Sequence, residues 1–161
     1  MRNLIKTFVV MLMLSFSHAA IADDLEDGYT AYDKQDYATA LRLWKPLAEQ
    51  RNASAQYLLG HMYDQGHGVF QSYKTAVKWY TLAAEQGNYS AQSSLGFMYF
   101  RGQGVAQDYV KAHMWLNIAA SNRSYFLSFR DDIAKLMTPA QIAQAQEAAS
   151  RCIKQNFKNC D

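Results

Sequence analysis

The sequence predicts an all-α fold, an α/α-hairpin repeat solenoid of about four helix pairs, and three observations lead there. First, the chain repeats itself at an offset of 36 residues. Ala55, Gln56, Leu59, Gly60, Met62 and Tyr63 recur as Ala91, Gln92, Leu95, Gly96, Met98 and Tyr99. Gly66, Gly68, Val69, Gln71 and Tyr73 recur as Gly102, Gly104, Val105, Gln107 and Tyr109, and Ala76, Trp79, Ala83 and Ala84 as Ala112, Trp115, Ala119 and Ala120. A fixed period of this length belongs to stacked arrays, in which no unit buries its apolar face alone. Second, Ala55, Leu58, Leu59, Met62 and Tyr63 fall at i, i+3, i+4, i+7 and i+8, one face of a helix. Tyr73, Ala76, Val77, Tyr80 and Ala84 draw a second stripe beyond a glycine-rich turn, so each unit is a helical hairpin. Third, 161 residues with only two prolines and abundant alanine favour helix throughout.

The N-terminus reads as a secretory signal peptide over residues 1–22. Arg2 and Lys6 precede an apolar run from Thr7 to Phe16, and Ala20-Ile21-Ala22 offers small residues for cleavage after Ala22. The run is shorter than the ~20 residues a bilayer span needs, so no stable membrane insertion is expected. No cysteine follows the cut and no arginine pair precedes the run, which argues against a lipid anchor or twin-arginine export. Cleavage leaves the protein periplasmic or secreted. It also removes two of the 16 basic residues, leaving 14 against 14 acidic ones. A neutral chain has no electrostatic reason to bind nucleic acid.

The remaining residues, 23–161, divide into units of about 24–52, 53–88 and 89–122, with a capping hairpin over 123–161. The first is divergent: Gly28, Tyr37, Ala40 and Trp44 keep the glycine–aromatic–alanine–tryptophan order with a turn four residues shorter. Gly60 and Gly96 stand mid-helix, where glycine costs about 1 kcal/mol. Their recurrence predicts close helix packing, with Ala76 and Ala112 as the small partners. Arg123 stands where Gly87 predicts a glycine, so the repeat lapses there. The last hairpin is expected over residues 124–135 and 139–153. Thr138, Pro139 and Gln141 open its second helix with an N-cap, an N1 proline and a capping box, and Arg151 and Lys154 suit its C-terminal end. Cys152 and Cys160, close together in an exported chain, read as a disulfide closing a small terminal loop.

The strings Ala55-Gln56-Tyr57-Leu58-Leu59-Gly60-His61-Met62-Tyr63, Gly66-His67-Gly68-Val69 and Lys74-Thr75-Ala76-Val77-Lys78-Trp79-Tyr80 resemble a Sel-1-like repeat, and Ala91 to Ala120 matches the same pattern. Gly28 to Leu47 resembles the shorter tetratricopeptide repeat. The resemblance implies a right-handed α/α superhelix whose first helices line a concave groove, and an adaptor role rather than catalysis. Secreted bacterial relatives act in envelope regulation or host contact. One branch carries a disulfide in every repeat; the units here lack those cysteines and fall outside it.

The residues themselves offer little for chemistry. Gly66-His67-Gly68 and Gly102-Gln103-Gly104 follow helices and lack a third glycine, so they are turns rather than phosphate loops. His61, Asp64 and His67 have metal-ligand types, but Phe97, Phe100 and Gln103 replace them in the next copy, and no metal or cofactor is expected. His113 reads as a packed side chain. Ser-x-x-Lys, Gly-x-Ser-x-Gly and His-Glu-x-x-His are all missing, so the chain is read as a non-enzyme. Tyr63, Tyr99, Trp79 and Trp115 read as core wedges. The first-helix residues left over from packing are Ser54, Tyr57, His61 and Asp64, then Ser90, Ser93, Phe97 and Phe100. Of these, Tyr57, His61, Asp64, Ser93, Phe97 and Phe100 are the expected partner-binding groove, because aromatic residues dominate binding hot spots. The expected protein is a monomeric adaptor or regulator in the bacterial envelope that holds a protein partner. A peptidoglycan- or glycan-binding module is the alternative, and a wall or β-lactam hydrolase comes last.

Overall fold

The computed structural model describes residues 23–158 and Cys160; the expected signal segment, residues 1–22, lies outside the described residues. Regular structure there is wholly helical: α1 (23–33), α2 (Tyr37–Glu49), α3 (Ala53–Gln65), α4 (Tyr73–Ala84), α5 (Tyr89–Arg101), α6 (Tyr109–Asn122), α7 (Phe126–Ala134) and α8 (Pro139–Lys154). Helices α3 and α4, and α5 and α6, pair as hairpins, α2 packs on α3 and α4 on α5, and the units stack into an α/α solenoid. No described helix is long and apolar enough to cross a membrane.

The helix ends follow from short local signals that repeat at the same offset of 36. Asn52 and Asn88 cap α3 and α5, and Ser72 and Asp108 cap α4 and α6. In each case a side-chain oxygen accepts the N–H three residues on, a bond worth about 1 kcal/mol against alanine. At the far ends Gly66 and Gly102 take φ of 74° and 68°, the left-handed region that only glycine enters without a steric cost. The turn that follows is tied back twice. Ser72 and Asp108 N–H donate to the Tyr63 and Tyr99 carbonyls at 2.9 and 3.0 Å. Gln71 and Gln107 amides donate to the Asp64 and Phe100 carbonyls at 2.7 and 2.8 Å. The identity of this glutamine in both copies thus has a structural cause.

Mid-helix Gly60 and Gly96 do permit close packing, but not against the alanines expected. A Cβ at Gly60 would lie 2.6 Å from the Tyr80 ring, and one at Gly96 2.7 Å from Leu116 Cγ. Large side chains of the second helices press into these notches. Ala76 and Ala112 are fully buried one turn earlier, and the Ala112 carbonyl faces Gly96, at 3.2 Å from the added Cβ. The core forms two clusters. Trp44, Leu47, Leu59 and Met62 knit the first unit to the second; Tyr80, Leu95, Trp115, Leu116, Ile118 and Ala149 join the later units to the cap. Trp44 is wholly buried, and its indole N–H donates to the Leu25 carbonyl at 3.1 Å. Of the four expected wedges, Trp115 and Tyr99 are buried, while Trp79 and Tyr63 are half-buried.

The cap breaks the repeat path at Arg123. Gly87 and its counterpart Arg51 have φ of 83° and 67°, whereas Arg123 is extended at −143°. The chain therefore leaves α6 in a new direction, and α7 and α8 both pack on α6. Helix α7 is shorter than expected, beginning at Phe126 and ending at Ala134. Helix α8 opens with the reciprocal Thr138–Gln141 capping box. Cys152 and Cys160 are joined by a disulfide that folds the tail back. The Phe157 ring reaches the α4–α5 turn, 3.2 Å from where a Cβ on Gly87 would stand.

Candidate partner-binding face

Aromatic contacts join the first helices of neighbouring units in two places, α1 to α3 and α5 to α7. Tyr32 of α1 meets His61 of α3, with ring centroids 6.0 Å apart, and Phe97 of α5 meets Phe129 of α7 edge-on at 5.2 Å. Between them, Tyr57 packs beside Tyr80 at 5.8 Å. Burial raises the Tyr57 phenol's pKa, and the phenols of Tyr29 and Tyr89 add to the effect.

The N-terminal end of this face is polar. The Tyr32 hydroxyl lies 3.1 Å from His61 Nδ1 and 2.6 Å from His67 Nδ1. A phenol oxygen donates one hydrogen bond and accepts others, so the Tyr32 hydroxyl ties both Nδ1 atoms together, with the direction of each bond set by the tautomer. Tyr37 stacks on His67 at 4.5 Å and 12°. Burial is the main cause that lowers the His61 pKa; His67 adds to it and Asp64 opposes it. Asp64 is not part of this triangle: its carboxylate accepts from the Gln65 amide at 3.2 Å and the Tyr80 hydroxyl at 3.4 Å. Among the described residues no group of three His, Cys, Asp or Glu is placed to hold a metal.

The C-terminal end is apolar. Phe97, Phe100, Phe129, Ile133 and Leu136 line a cleft of ≈ 470 Å³ between α5 and α7, with Arg101, Asp132 and Lys135 at its rim. Leu136 is 56% exposed there. Two arginines lie over rings of α5: Arg123 at 5.1 Å from the Tyr89 centroid and Arg101 at 5.7 Å from that of Phe97. Such cation–π contacts are worth ~0.5–1 kcal/mol at exposed sites.

Of the residues expected on this face, Tyr57, His61, Asp64, Phe97 and Phe100 are half-buried with Ser54 and Ser90. Tyr57, Phe97 and Phe100 also pack against the core. Ser93 does not belong to the face. It is 6% exposed, and its hydroxyl donates to the Ser90 carbonyl at 2.8 Å within the same helix. Small and self-satisfied, it is covered by the neighbouring helices. Several members of the face were not expected. Tyr29, Tyr32 and Tyr37 come from the divergent unit, and aligning Gly28 with Gly60 would have placed Tyr32 opposite Asp64. Tyr89, Arg101, Arg123, Phe129 and Leu136 lie at helix ends or in the cap, where the repeat gives no register. His113 is 2% exposed on α6, and its Nδ1 has no hydrogen-bond partner among the described residues.

The Sel1 repeat model matches residues 25–52, 53–88 and 90–124, well over half of the chain. The chain belongs to the Sel1 repeat family. Sel1 repeat folds are protein-interaction scaffolds and are not typically catalytic. Among solved structures, the chain is similar to a protective antigen of uropathogenic Escherichia coli strains that displays an SLR fold. The TM-score is 0.81 and the identity 28%, over 87% of this chain and 31% of that one. It is also similar to a Sel1 repeat protein from Oxalobacter formigenes, with a TM-score of 0.58 and 36% identity over 61% of this chain and 40% of that one. The chain thus spans well under half the length of either protein. No curated protein matches it.

Proposed function

We propose that this Sel1 repeat protein is a non-enzymatic adaptor or regulator of the bacterial envelope, holding another protein on the face lined by Tyr57, His61, Asp64, Phe97 and Phe100. One observation carries the reading. The two full repeats share the turn glycines, Gln71/Gln107 and the buried alanines of the hairpin, whereas half-buried positions of this face differ: His61 becomes Phe97 and Asp64 becomes Phe100, and the counterpart of Tyr57 is the buried Ser93. The turns and the alanine core are held constant while these first-helix positions differ, as expected of a surface that recognises something. The half-buried rings and the cleft beside Phe97 are the kind of pocket in which anchor residues bind. Residues 1–22 with their signal-peptide pattern, together with the Cys152–Cys160 disulfide, support an oxidising compartment, the periplasm or beyond. The similar E. coli protein is a protective antigen, in keeping with an exported chain.

A second reading, glycan binding, is favoured by the exposed rings of Tyr29, Tyr89 and Tyr125, which suit stacking on sugars. Immobilised protein challenged with envelope extract and with purified peptidoglycan separates the two. Retained proteins that are lost with Tyr57→Ala/Phe97→Ala support the adaptor. Peptidoglycan retention that depends on the exposed tyrosines, with no retained protein, transfers the face to glycan.

A further inference from the structure

The arginines of the last two units divide into two kinds, and Lys135 sides with the first. Arg130, Lys135 and Arg151 each have a carboxylate within 2.6 Å, from Asp131, Asp132 and Glu147. Arg101 and Arg123 have no carboxylate partner among the described residues and lie instead over Phe97 and Tyr89. A guanidinium lying over a ring spends none of its five N–H donors on it, and a carboxylate fills two of them at once as a fork. The two rings are eight residues apart on α5, about 12 Å along the helix axis at ~1.5 Å per residue, and the guanidiniums over them are spaced on that scale. In an extended chain at ~3.3 Å per residue, that distance is about four residues. The apolar cleft opens beside the second fork, between Phe97 and Leu136.

We infer that this surface takes an extended acidic segment of another protein, with two carboxylates about four residues apart and one aromatic or leucine-sized side chain seated in the cleft. The inference rests on the partner-binding reading above and gives that partner its chemistry. A nucleic-acid strand could meet the guanidiniums but offers no apolar side chain to the cleft. Overall charge does not draw the acidic partner, because the chain without residues 1–22 is neutral; recognition is local to Arg101 and Arg123.

The test is selection of random twelve-residue displayed peptides on the chain from Asp23 onward. The selected sequences are then made with a fluorescent label and titrated by anisotropy. The enriched peptides are expected to carry two Asp or Glu about four residues apart beside Phe, Trp or Leu. Arg101→Ala and Arg123→Ala should each weaken them about tenfold, as expected for a hydrogen bond to a charged group. Raising the salt should weaken them further. Both arginines are exposed, and an unchanged far-ultraviolet spectrum confirms that the variants fold. Peptides that lack acidic pairs, or that bind the arginine variants as tightly as the parent, overturn the inference. If such peptides still lose affinity with Phe97→Ala, the face reading survives without its acidic partner. If Phe97→Ala changes nothing either, both fail. Self-association of the chain abolished by the two arginine variants would give the surface to a second copy and also overturn the inference.

Discussion

Gln56 and Gln92 occupy equivalent buried positions, and only one of them is fully satisfied. Each amide donates to the carbonyl eight residues before it, Ala48 at 3.0 Å and Ala84 at 3.3 Å. Gln56 Oε1 then accepts from the Gln86 amide at 2.7 Å, whereas Gln92 Oε1 has no partner among the described residues. The residue 36 positions after Gln86 is Asn122, one methylene shorter and the last residue of α6. Replacing Gln86 by alanine should leave Gln56, 2% exposed, in the state that Gln92 already occupies. The loss is the buried bond to Gln56 with its orphaned acceptor, about 1–2 kcal/mol, and a longer exposed bond to the Leu82 carbonyl at 3.2 Å that adds little. With a urea m-value of ~2 kcal/mol/M, the midpoint falls by about 0.5–1 M. Asn122→Ala is the matched control and should change stability by less than ~0.5 kcal/mol, as an exposed substitution that breaks no bond. Gln56→Leu with Gln86→Leu removes both partners and should recover most of the loss. Equal effects of Gln86→Ala and Asn122→Ala in urea unfolding would refute the reasoning, since the bonded and unbonded glutamines would then be energetically alike.

Three further outcomes follow from particular residues. Folding holds the His61 pKa below the ordinary value of 6.5, chiefly by burial, so the unfolded chain takes up this proton at higher pH than the folded one. Its contribution is therefore intact above about pH 6.5 and is lost as pH falls through that value towards the folded pKa. The acid loss measured by thermal melts from pH 7 to 5 should shrink in His61→Phe, and an unchanged pH profile would rule His61 out as its source. Arg51 holds φ 67° with a side chain, where the next repeat has Gly87. Arg51→Gly should raise stability by about 0.5–1 kcal/mol, the left-handed strain less the entropy that glycine adds to the unfolded chain; a lower melting temperature would show that the strain is not there. Reducing the Cys152–Cys160 disulfide, eight residues apart in sequence, should cost about 2–3 kcal/mol by loop entropy, read as a drop in melting temperature on adding dithiothreitol that Cys160→Ser reproduces and that no longer responds to reductant.

The hairpin repeats were legible because their signals are local. The 3.6-residue stripe, the turn glycines and the recurring Gln71/Gln107 each act within one unit, and a second copy confirms the reading. What the sequence concealed depends on neighbours. Gly60 and Gly96 announce close packing but do not say that Tyr80 and Leu116, rather than alanines, fill the space. Ser93 shares a register position with Tyr57 yet is buried, because its exposure is set by the helices beside it and not by its own. Beyond Arg123 the path turns and the register ends, so Phe129 and Leu136 could not be assigned to the face from spacing. The Tyr32 link to His61 and His67 joins residues 29 and 35 positions apart, across two units with different turn lengths.

The most direct test of the central claim is to place a photo-crosslinking amino acid at Phe97 in living cells, with Phe70 as the control position. Phe70 is 97% exposed on the α3–α4 turn, and its counterpart in the next repeat is Ala106, so it reports non-specific contact. The account predicts one discrete protein adduct from Phe97 that disappears when Tyr57 is also changed to alanine, with no such adduct from Phe70. No adduct from Phe97, or the same products from both positions, would contradict it.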